Sequence, residues 1–290
     1  KSHFDRIRHI QADIESGDIS RGWNQHRWRI SKILLPDSKI KNVQKYRLSD
    51  DELAWVEAWE WFVQNIPDDN LPGHPIWSDQ FKPQPEIPKD CPEWKRNFLE
   101  KNAKFFTEHN AVLNRWLKRW NNLESFPPSR KKFEWQAQES KTLWETIMHF
   151  RPSGIRAKKA TYVPALVAIT QTTIVGKQKR RITTREGARL QGLPDWFDFV
   201  DQADSLTYKQ LGNGVNVGAV YNVIRAQVLR DLDLLGDHPA ITRAILGAAA
   251  SPDTVLSSHK DYHSYIPNTE AVNLEDLVPK AEKSIQLRIV

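Results

Sequence analysis

Between Arg180 and Val217 the chain is punctuated more tightly than anywhere else, and this stretch constrains the fold most. Its first run reads Arg180-Arg181-Ile182-Thr183-Thr184-Arg185-Glu186-Gly187-Ala188-Arg189-Leu190-Gln191-Gly192-Leu193-Pro194-Asp195. Here Thr184 predicts an N-cap for a short helix over 185–191, with Gly192 as its C′ residue and Pro194 as a stop. The second run is Tyr208-Lys209-Gln210-Leu211-Gly212-Asn213-Gly214-Val215-Asn216-Val217. It sets a Gly212-Asn213-Gly214 turn ahead of a long amphipathic helix over 215–235. The apolar residues of that helix, Val217, Val220, Val223, Ile224, Val228 and Leu232, recur at helical spacing. Two glycines allow positive φ and close backbone approach to a ligand, and Asn213 adds a donor and an acceptor. The following helix N-terminus offers free N–H groups to an anion. Taken alone, the pattern equally describes an ordinary loop-to-helix turn.

Charge is unevenly spread around this stretch. The net charge is +6, which favours a polyanionic partner without demanding one. Lys177, Lys179, Arg180, Arg181, Arg185 and Arg189 are opposed only by Glu186 within their span. Arg151, Arg156, Lys158 and Lys159 form a second basic cluster just upstream. Solvated loops would explain either cluster singly; two of them flanking one β-like segment point to nucleic acid. No apolar run approaches the ~18 residues of a membrane span, and the polar start Lys1-Ser2-His3-Phe4-Asp5 has no signal-peptide character. The single cysteine, Cys91, rules out an internal disulfide framework and a cysteine-based zinc site, and suits a reducing cytoplasm. Chains normally begin with Met and the one methionine is Met148, so the sequence is expected to be a fragment, a processed product or the ordered part of something longer.

Further elements follow from local pattern. Lys32-Ile33-Leu34-Leu35-Pro36 reads as the end of a strand. Ser49 and Glu52 form a capping box for a helix over 50–65 whose Leu53, Val56, Trp59 and Phe62 share a face. The Pro-rich stretch 67–92 is a long loop, of the kind that is usually functional or wraps a partner. Pro92 opens a second helix reaching about residue 122, with Phe98, Phe105, Leu113, Trp116, Leu117 and Trp120 on its apolar side. Trp55, Trp59, Trp61, Trp116 and Trp120 read as core rather than as stacking platforms. A loop over 126–133, a helix near 137–149, and one or two strands in the β-branched stretch 162–176 complete this part. Beyond Gly236 the chain is Ala-rich and then polar and irregular.

The two opening runs, in this order, resemble the last two conserved blocks of the DNA cytosine-5 methyltransferases. The core Arg-x-x-Thr-x-Arg-Glu…Arg-Leu-Gln-Gly-x-Pro-Asp is matched almost position for position. Departures are Thr184, where the family often has Pro, and Leu193, where it often has Phe. Gln25-His26-Arg27-Trp28-Arg29 is similar to the family's Gln-x-Arg-x-Arg block, although Trp23-Asn24 precedes it in place of Val-Pro; a basic surface run explains it equally well. What the resemblance implies is an α+β fold. It would comprise a helix-rich target-recognition domain with a small β element, then the closing segment of a Rossmann-like methyltransferase domain. The implied boundaries are 1–45 for the trailing edge of a catalytic domain, 46–178 for target recognition, 179–236 for the closing segment and 237–290 for a C-terminal extension.

The resemblance also implies roles. Gly212, Asn213 and Gly214 would border S-adenosylmethionine, and Arg27 and Arg29 would contact the DNA backbone and a flipped cytosine. Within the recognition region, Arg151, Ser153, Arg156, Lys158 and Lys159 are candidates for base contact and Arg130, Lys131 and Lys132 for phosphate contact. Thr170, Gln171, Thr172, Arg180 and Arg181 complete the double-stranded DNA set. Methylation at cytosine C5 requires a thiolate adding to C6, and the family carries it in a Pro-Cys dipeptide. Cys91 lies instead in Asp90-Cys91-Pro92-Glu93, and no Glu-Asn-Val or Phe-x-Gly-x-Gly block occurs. The nucleophile is therefore expected on another methyltransferase segment or subunit, and this chain by itself to be inactive, in the cytoplasm on nucleoid DNA. The alternative is a DNA-binding or assembly protein of the same descent that has lost methylation.

Overall fold

A computed structural model describes residues 30–67, 71–138, 140–161, 163–166, 172–236 and 238–247. Among these, residues 30–165 and 172–182 form one unit, and residues 183–247 with Leu166 a second.

The first unit is built on α1 (Asp50–Asn65), whose start is set locally. The Ser49 hydroxyl accepts from the Glu52 amide while the Glu52 carboxylate accepts from the Ser49 amide, satisfying two N–H groups that a helix start otherwise leaves unpaired. Val56, Trp59, Phe62 and Val63 are buried on one face. The long helix expected from Pro92 is two helices, α2 (Glu93–Glu108) and α3 (Asn110–Arg119). They break at His109, whose backbone (φ −119°, ψ 23°) leaves the helical region. Pro92 stands just outside α2 as its N-cap.

Six strands form one mixed sheet in the order β1-β2-β4-β3-β5-β6. They are β1 (Ile76–Trp77), β2 (Lys132–Gln136), β3 (Thr146–Arg151), β4 (Gly154–Lys159), β5 (Ile174–Val175) and β6 (Arg180–Arg181). β2 runs parallel to β4; every other neighbouring pair is antiparallel. The side-chain period of two gives β2 and β4 one apolar face, Phe133, Trp135, Ile155 and Ala157, all buried. Against that face Trp59 stacks on Phe133 with ring centroids 4.8 Å apart, and Trp116 closes over Trp59 at the same spacing. Both indole N–H groups are satisfied by backbone carbonyls, Trp59 at Arg130 and Trp116 at Ala58. Burying each such ring contributes roughly 1.5–3 kcal/mol, so this aromatic stack dominates the core. Trp55, Trp61 and Trp120 pack partly buried around it.

The sheet corrects several sequence expectations. The segment 137–149 is no helix: a 3-10 turn, Leu143–Glu145, leads straight into β3. Glu60 of α1 fixes that turn by accepting from the Thr142 hydroxyl and the Leu143 amide. The expected loop 126–133 runs into β2. Lys32–Pro36 is not a strand end, because Ile30–Lys32 forms a 3-10 turn. Of the stretch 162–176, only Ile174–Val175 is strand among the described residues; Tyr162 and 167–171 lie outside them.

The second unit contains α4 (Thr184–Leu190), α5 (Asp204–Asn213), α6 (Val217–Arg230) and α7 (Pro239–Leu246). The cap of α4 is Thr183, not Thr184, and Thr183 and Glu186 make a second capping box. Gly192 takes the left-handed C′ position at φ +74°. The expected helix 215–235 is shorter, starting after the N-cap Asn216. Its Val220, Val223 and Ile224 stand 40%, 67% and 40% exposed rather than buried.

Candidate nucleic-acid interface

The face of β2-β4-β3 opposite the aromatic core is polar and basic. Register sets Glu134 of β2 beside Arg156 of β4, and Arg156 beside His149 of β3. Lys132 and Lys158 share this face by alternation, and Arg151 ends β3 at the two-residue turn Pro152-Ser153, which is exposed. Gly154 closes the hairpin at φ +133°, with room for no Cβ, since one would lie 2.7 Å from the Lys132 carbonyl oxygen. A side chain there would push β2 and β4 apart.

Within this face the charges are ordered. Glu134 Oε2 accepts from Arg156 Nε at 2.7 Å, and Arg151 Nη1 lies 3.6 Å from the same oxygen. His149 is 8% exposed, with Nε2 2.9 Å from the Thr173 hydroxyl. Burial first, then the charges of Arg151, Arg156 and Lys158, push its pKa down to about 4, so it is neutral at physiological pH. Neither Glu134 nor His149 was singled out from the sequence. The alternation Lys132-Phe133-Glu134-Trp135-Gln136 was the signal that could have found Glu134.

The remaining candidates divide sharply by environment. Arg130 packs its guanidinium over the rings of Phe150 and Trp55, 4.8 and 5.3 Å from their centroids. Its Nη1 donates to the Arg151 carbonyl at 3.0 Å, so it braces the base of the hairpin. Lys131 pairs with Asp79 at 3.7 Å. Lys159 lies on the opposite side of β4 from Lys158, and Thr172 is half-buried next to the buried Thr173. Arg180 is fully buried: its Nε donates to Asp37 Oδ1 at 2.9 Å and Nη2 to the Leu35 carbonyl at 3.2 Å. Arg181 makes a two-pronged bridge to Glu52. Burial alone would raise the Glu52 carboxyl, but hydrogen bonds from Arg181 and the Ser49 amide and the charges of Arg181 and Arg130 hold it below its ordinary value. The basic clusters of the sequence thus meet different ends: Arg151, Arg156 and Lys158 lie on one partly exposed sheet face, Arg180 is sealed inside the fold, and Arg181, about as exposed as Arg156, is paired with Glu52. Arg27, Arg29, Thr170 and Gln171 lie outside the described residues.

In the second unit the two sequence runs interlock. The Gln191 side-chain amide donates to the Leu211 and Gly214 carbonyls, and its backbone carbonyl accepts from the Val217 amide. Asn216 donates to the Leu190 carbonyl and caps α6 by accepting from the Ala219 amide. Gly187 faces Leu211 so closely that a Cβ would meet its Cδ1 at 3.0 Å. Arg189 pairs with Asp195, and Arg185 donates to the Pro194 and Phe197 carbonyls. Gln191 and Asn216 thus join α4, α5 and α6, while Arg185 and Arg189 tie α4 to the segment that follows it.

Gly212 and Asn213 are the last residues of α5, and Gly214 is its extended C-cap at φ −76°. The expected positive-φ turn is absent here, and the Asn213 side chain is exposed. Cys91 is half-exposed ahead of α2. Among the described residues no helix is long and apolar enough to cross a membrane.

An interlocked pair of motif runs and a basic sheet face are the features against which comparison with known proteins is made. The chain belongs to the C-5 cytosine-specific DNA methylase family, whose model matches residues 20–228. It is 40% identical, over an alignment of 290 positions, to the Type II methyltransferase M.AluI of Cellulosimicrobium cellulans, covering 83% of this chain and 55% of that relative. A segment of 45 residues is 60% identical to the Type II methyltransferase M.HgiCI of Herpetosiphon aurantiacus, 16% of this chain and 10% of the relative. M.BanI of Aneurinibacillus aneurinilyticus is 58% identical over an equally short segment with the same coverage. The chain thus spans about half the length of M.AluI. No solved structure matches it.

Proposed function

We propose that this chain is the DNA-recognition and cofactor-closing part of a DNA cytosine-5 methyltransferase, and that its nucleophile is supplied by a catalytic segment or subunit outside these 290 residues. Residues 46–178 read double-stranded DNA, and 179–236 close the methyltransferase domain. The observation that carries the reading is the sheet face shared by Lys132, Arg151, Arg156 and Lys158, with Arg151 and Arg156 beside the carboxylate of Glu134 and Lys132 over the ring of Trp77. A duplex presents phosphates and base-edge acceptors that such a face is suited to bind. The exposed Val220, Val223 and Ile224 stripe on α6 favours a second segment that covers it.

The cofactor of the reaction is S-adenosylmethionine, which supplies the methyl group when bound. The residues fit one edge of such a site: exposed Asn213 offers an amide, with Gly212 and Gly214 beside it. Cys91, before the α2 N-cap Pro92, lacks the Pro-Cys setting, and its thiol donates weakly to the Pro92 carbonyl. Arg180 serves the fold rather than the phosphates, because its guanidinium is spent on Asp37 and carbonyls.

The test has two parts. Binding of the chain to duplex DNA is measured across salt, and transfer of tritium from labelled S-adenosylmethionine is measured with and without a segment carrying the Pro-Cys block. The expected result is binding whose log affinity falls linearly with log salt, and label transfer only with the added segment. Salt-dependent binding with no transfer to any cytosine-containing duplex refutes the enzymatic reading and leaves a DNA-binding protein that has lost methylation.

A further inference from the structure

Three features of the basic face separate its two arginines. Glu134 has both oxygens engaged, Oε2 by Arg156 Nε and Nη2, each at 2.7 Å, and Oε1 by the Gln136 amide. Arg156 is thus a fixed cation locked across two paired strands. Arg151 differs: its side chain is 33% exposed, but its Nη1 atom, 3.6 Å from Oε2 and close enough for charge attraction, is buried and has no hydrogen-bond partner. Its backbone is nevertheless rigid, since the Arg151 carbonyl accepts from Arg130, which is itself stacked on Trp55 and Phe150. A guanidinium with an unsatisfied donor on an immobile backbone, at the mouth of an exposed two-residue turn, gains most from a new acceptor.

Resting on the DNA-recognition reading above, we propose that Glu134 is a positioning residue for sequence discrimination: it locks Arg156 and holds Arg151 in reserve, so that Arg151 moves to DNA only for a paired acceptor such as O6 and N7 of guanine. The negative charge of Glu134 offsets the attraction of Arg151 to phosphate, which every sequence presents equally. A bidentate base edge returns two charge-assisted hydrogen bonds for the loose ion pair given up. His149, in the same row of the sheet, is neutral and donates no competing charge to Glu134.

The experiment uses the full chain and a duplex pool with a randomised centre, sequencing the bound fraction and titrating salt. Glu134→Gln keeps the shape and removes the charge. It is expected to tighten binding to the bulk pool, steepen the log-affinity against log-salt slope by about 0.9, the contribution of one further phosphate contact, and lower the enrichment of the preferred sequence by about tenfold. Glu134→Asp, which retains the charge, should keep bulk binding low. Arg151→Met should lose preference at one base pair, and Glu134→Gln added to it should cost no further preference. Tryptophan fluorescence of each variant establishes that it is folded. A Glu134→Gln protein with reduced affinity but unchanged enrichment and slope has lost only structure, and that overturns the positioning role. Unchanged enrichment in a folded variant overturns it equally. If the unsubstituted chain binds no duplex, the recognition reading itself falls, a result distinct from either.

Discussion

The buried cation Arg180 gives the sharpest prediction, because two substitutions at one contact should differ in the order opposite to their size. Arg180 is fully buried, and its anion is Asp37, 35% exposed, which also pairs with the partly exposed Arg47 at 2.6 Å. Asp37→Ala removes a small, half-exposed side chain but strands a charge in the interior. Breaking a buried pair from one side costs about 3–5 kcal/mol; solvent access at Asp37 brings the expected cost to or below the foot of that range, about 2–3 kcal/mol. The accompanying loss of the Arg47 contact adds about 0–1 kcal/mol at such exposure. Arg180→Met removes the larger side chain yet also removes the charge and refills much of the volume, so it should cost about 1 kcal/mol or less. In the double variant the stranded charge is gone, and about 2 kcal/mol should return relative to Asp37→Ala alone. Urea unfolding followed by tryptophan fluorescence measures all three, since Trp59, Trp116 and Trp135 lie in the same unit's core. At about 2–4 °C per kcal/mol for a unit of this size, Asp37→Ala, at about 2–4 kcal/mol in all, should melt roughly 4–16 °C lower. If Asp37→Ala is no worse than Arg180→Met, or if the double variant is as unstable as the two losses added, Arg180 is not the buried, Asp37-compensated cation described.

Three other outcomes are expected. His149 has a folded pKa near 4 against ~6.5 when unfolded; its contribution is complete above ~6.5 and is lost as pH falls from there toward 4, because the unfolded chain then takes the proton first. Unfolding free energy should drop by up to about 3 kcal/mol over that window, and His149→Gln should flatten the curve there. Gly154→Ala combines φ +133° with a Cβ 2.7 Å from the Lys132 oxygen, so a loss of about 2–4 kcal/mol is expected in denaturant titration. Gln191→Ala removes the amide linking α4 to the Leu211 and Gly214 carbonyls; about 1–2 kcal/mol should be lost, with faster amide exchange concentrated at 211–217.

What was legible in the sequence was what short-range chemistry decides. Ser49 and Glu52 announced α1 to the residue, because a capping box is complete within one turn. Gly192 and Pro194 likewise bounded α4, although the cap proved to be Thr183, whose Glu186 partner stands at the capping-box spacing. The sheet was mostly missed. β2 pairs in parallel with β4, a partner some twenty residues away, and the alternation in Lys132–Gln136 is only five residues long. Thr142–Phe150 also carries helix-compatible spacing, and Glu60, far away in α1, decides against it by fixing the turn that starts β3. At the interface, charge density found the right region, but density cannot tell an open face from a buried pair. Arg156 and Arg180 look alike in sequence; only the fold leaves one on a sheet face and seals the other against Asp37.

That difference bears on what the two opening runs mean. Thr183, Arg185, Glu186, Gly187, Arg189, Gln191, Asp195 and Asn216 are each engaged in a cap, an ion pair, a close approach or a carbonyl clamp within the second unit. Each of these contacts lies within the second unit, with the Arg189–Asp195 pair partly exposed. A match to these positions therefore specifies how α4, α5 and α6 assemble, and through that assembly where exposed Asn213 is presented. It specifies neither base preference nor a nucleophile. On the proposed reading, discrimination comes from residues outside the runs, and the basic face around Glu134 is where charge, register and the unpartnered Arg151 Nη1 coincide. The physical division predicts that swapping residues 132–158 between family members should change the sequence bound while leaving 183–217 folded, whereas swapping 183–217 should leave the sequence bound unchanged.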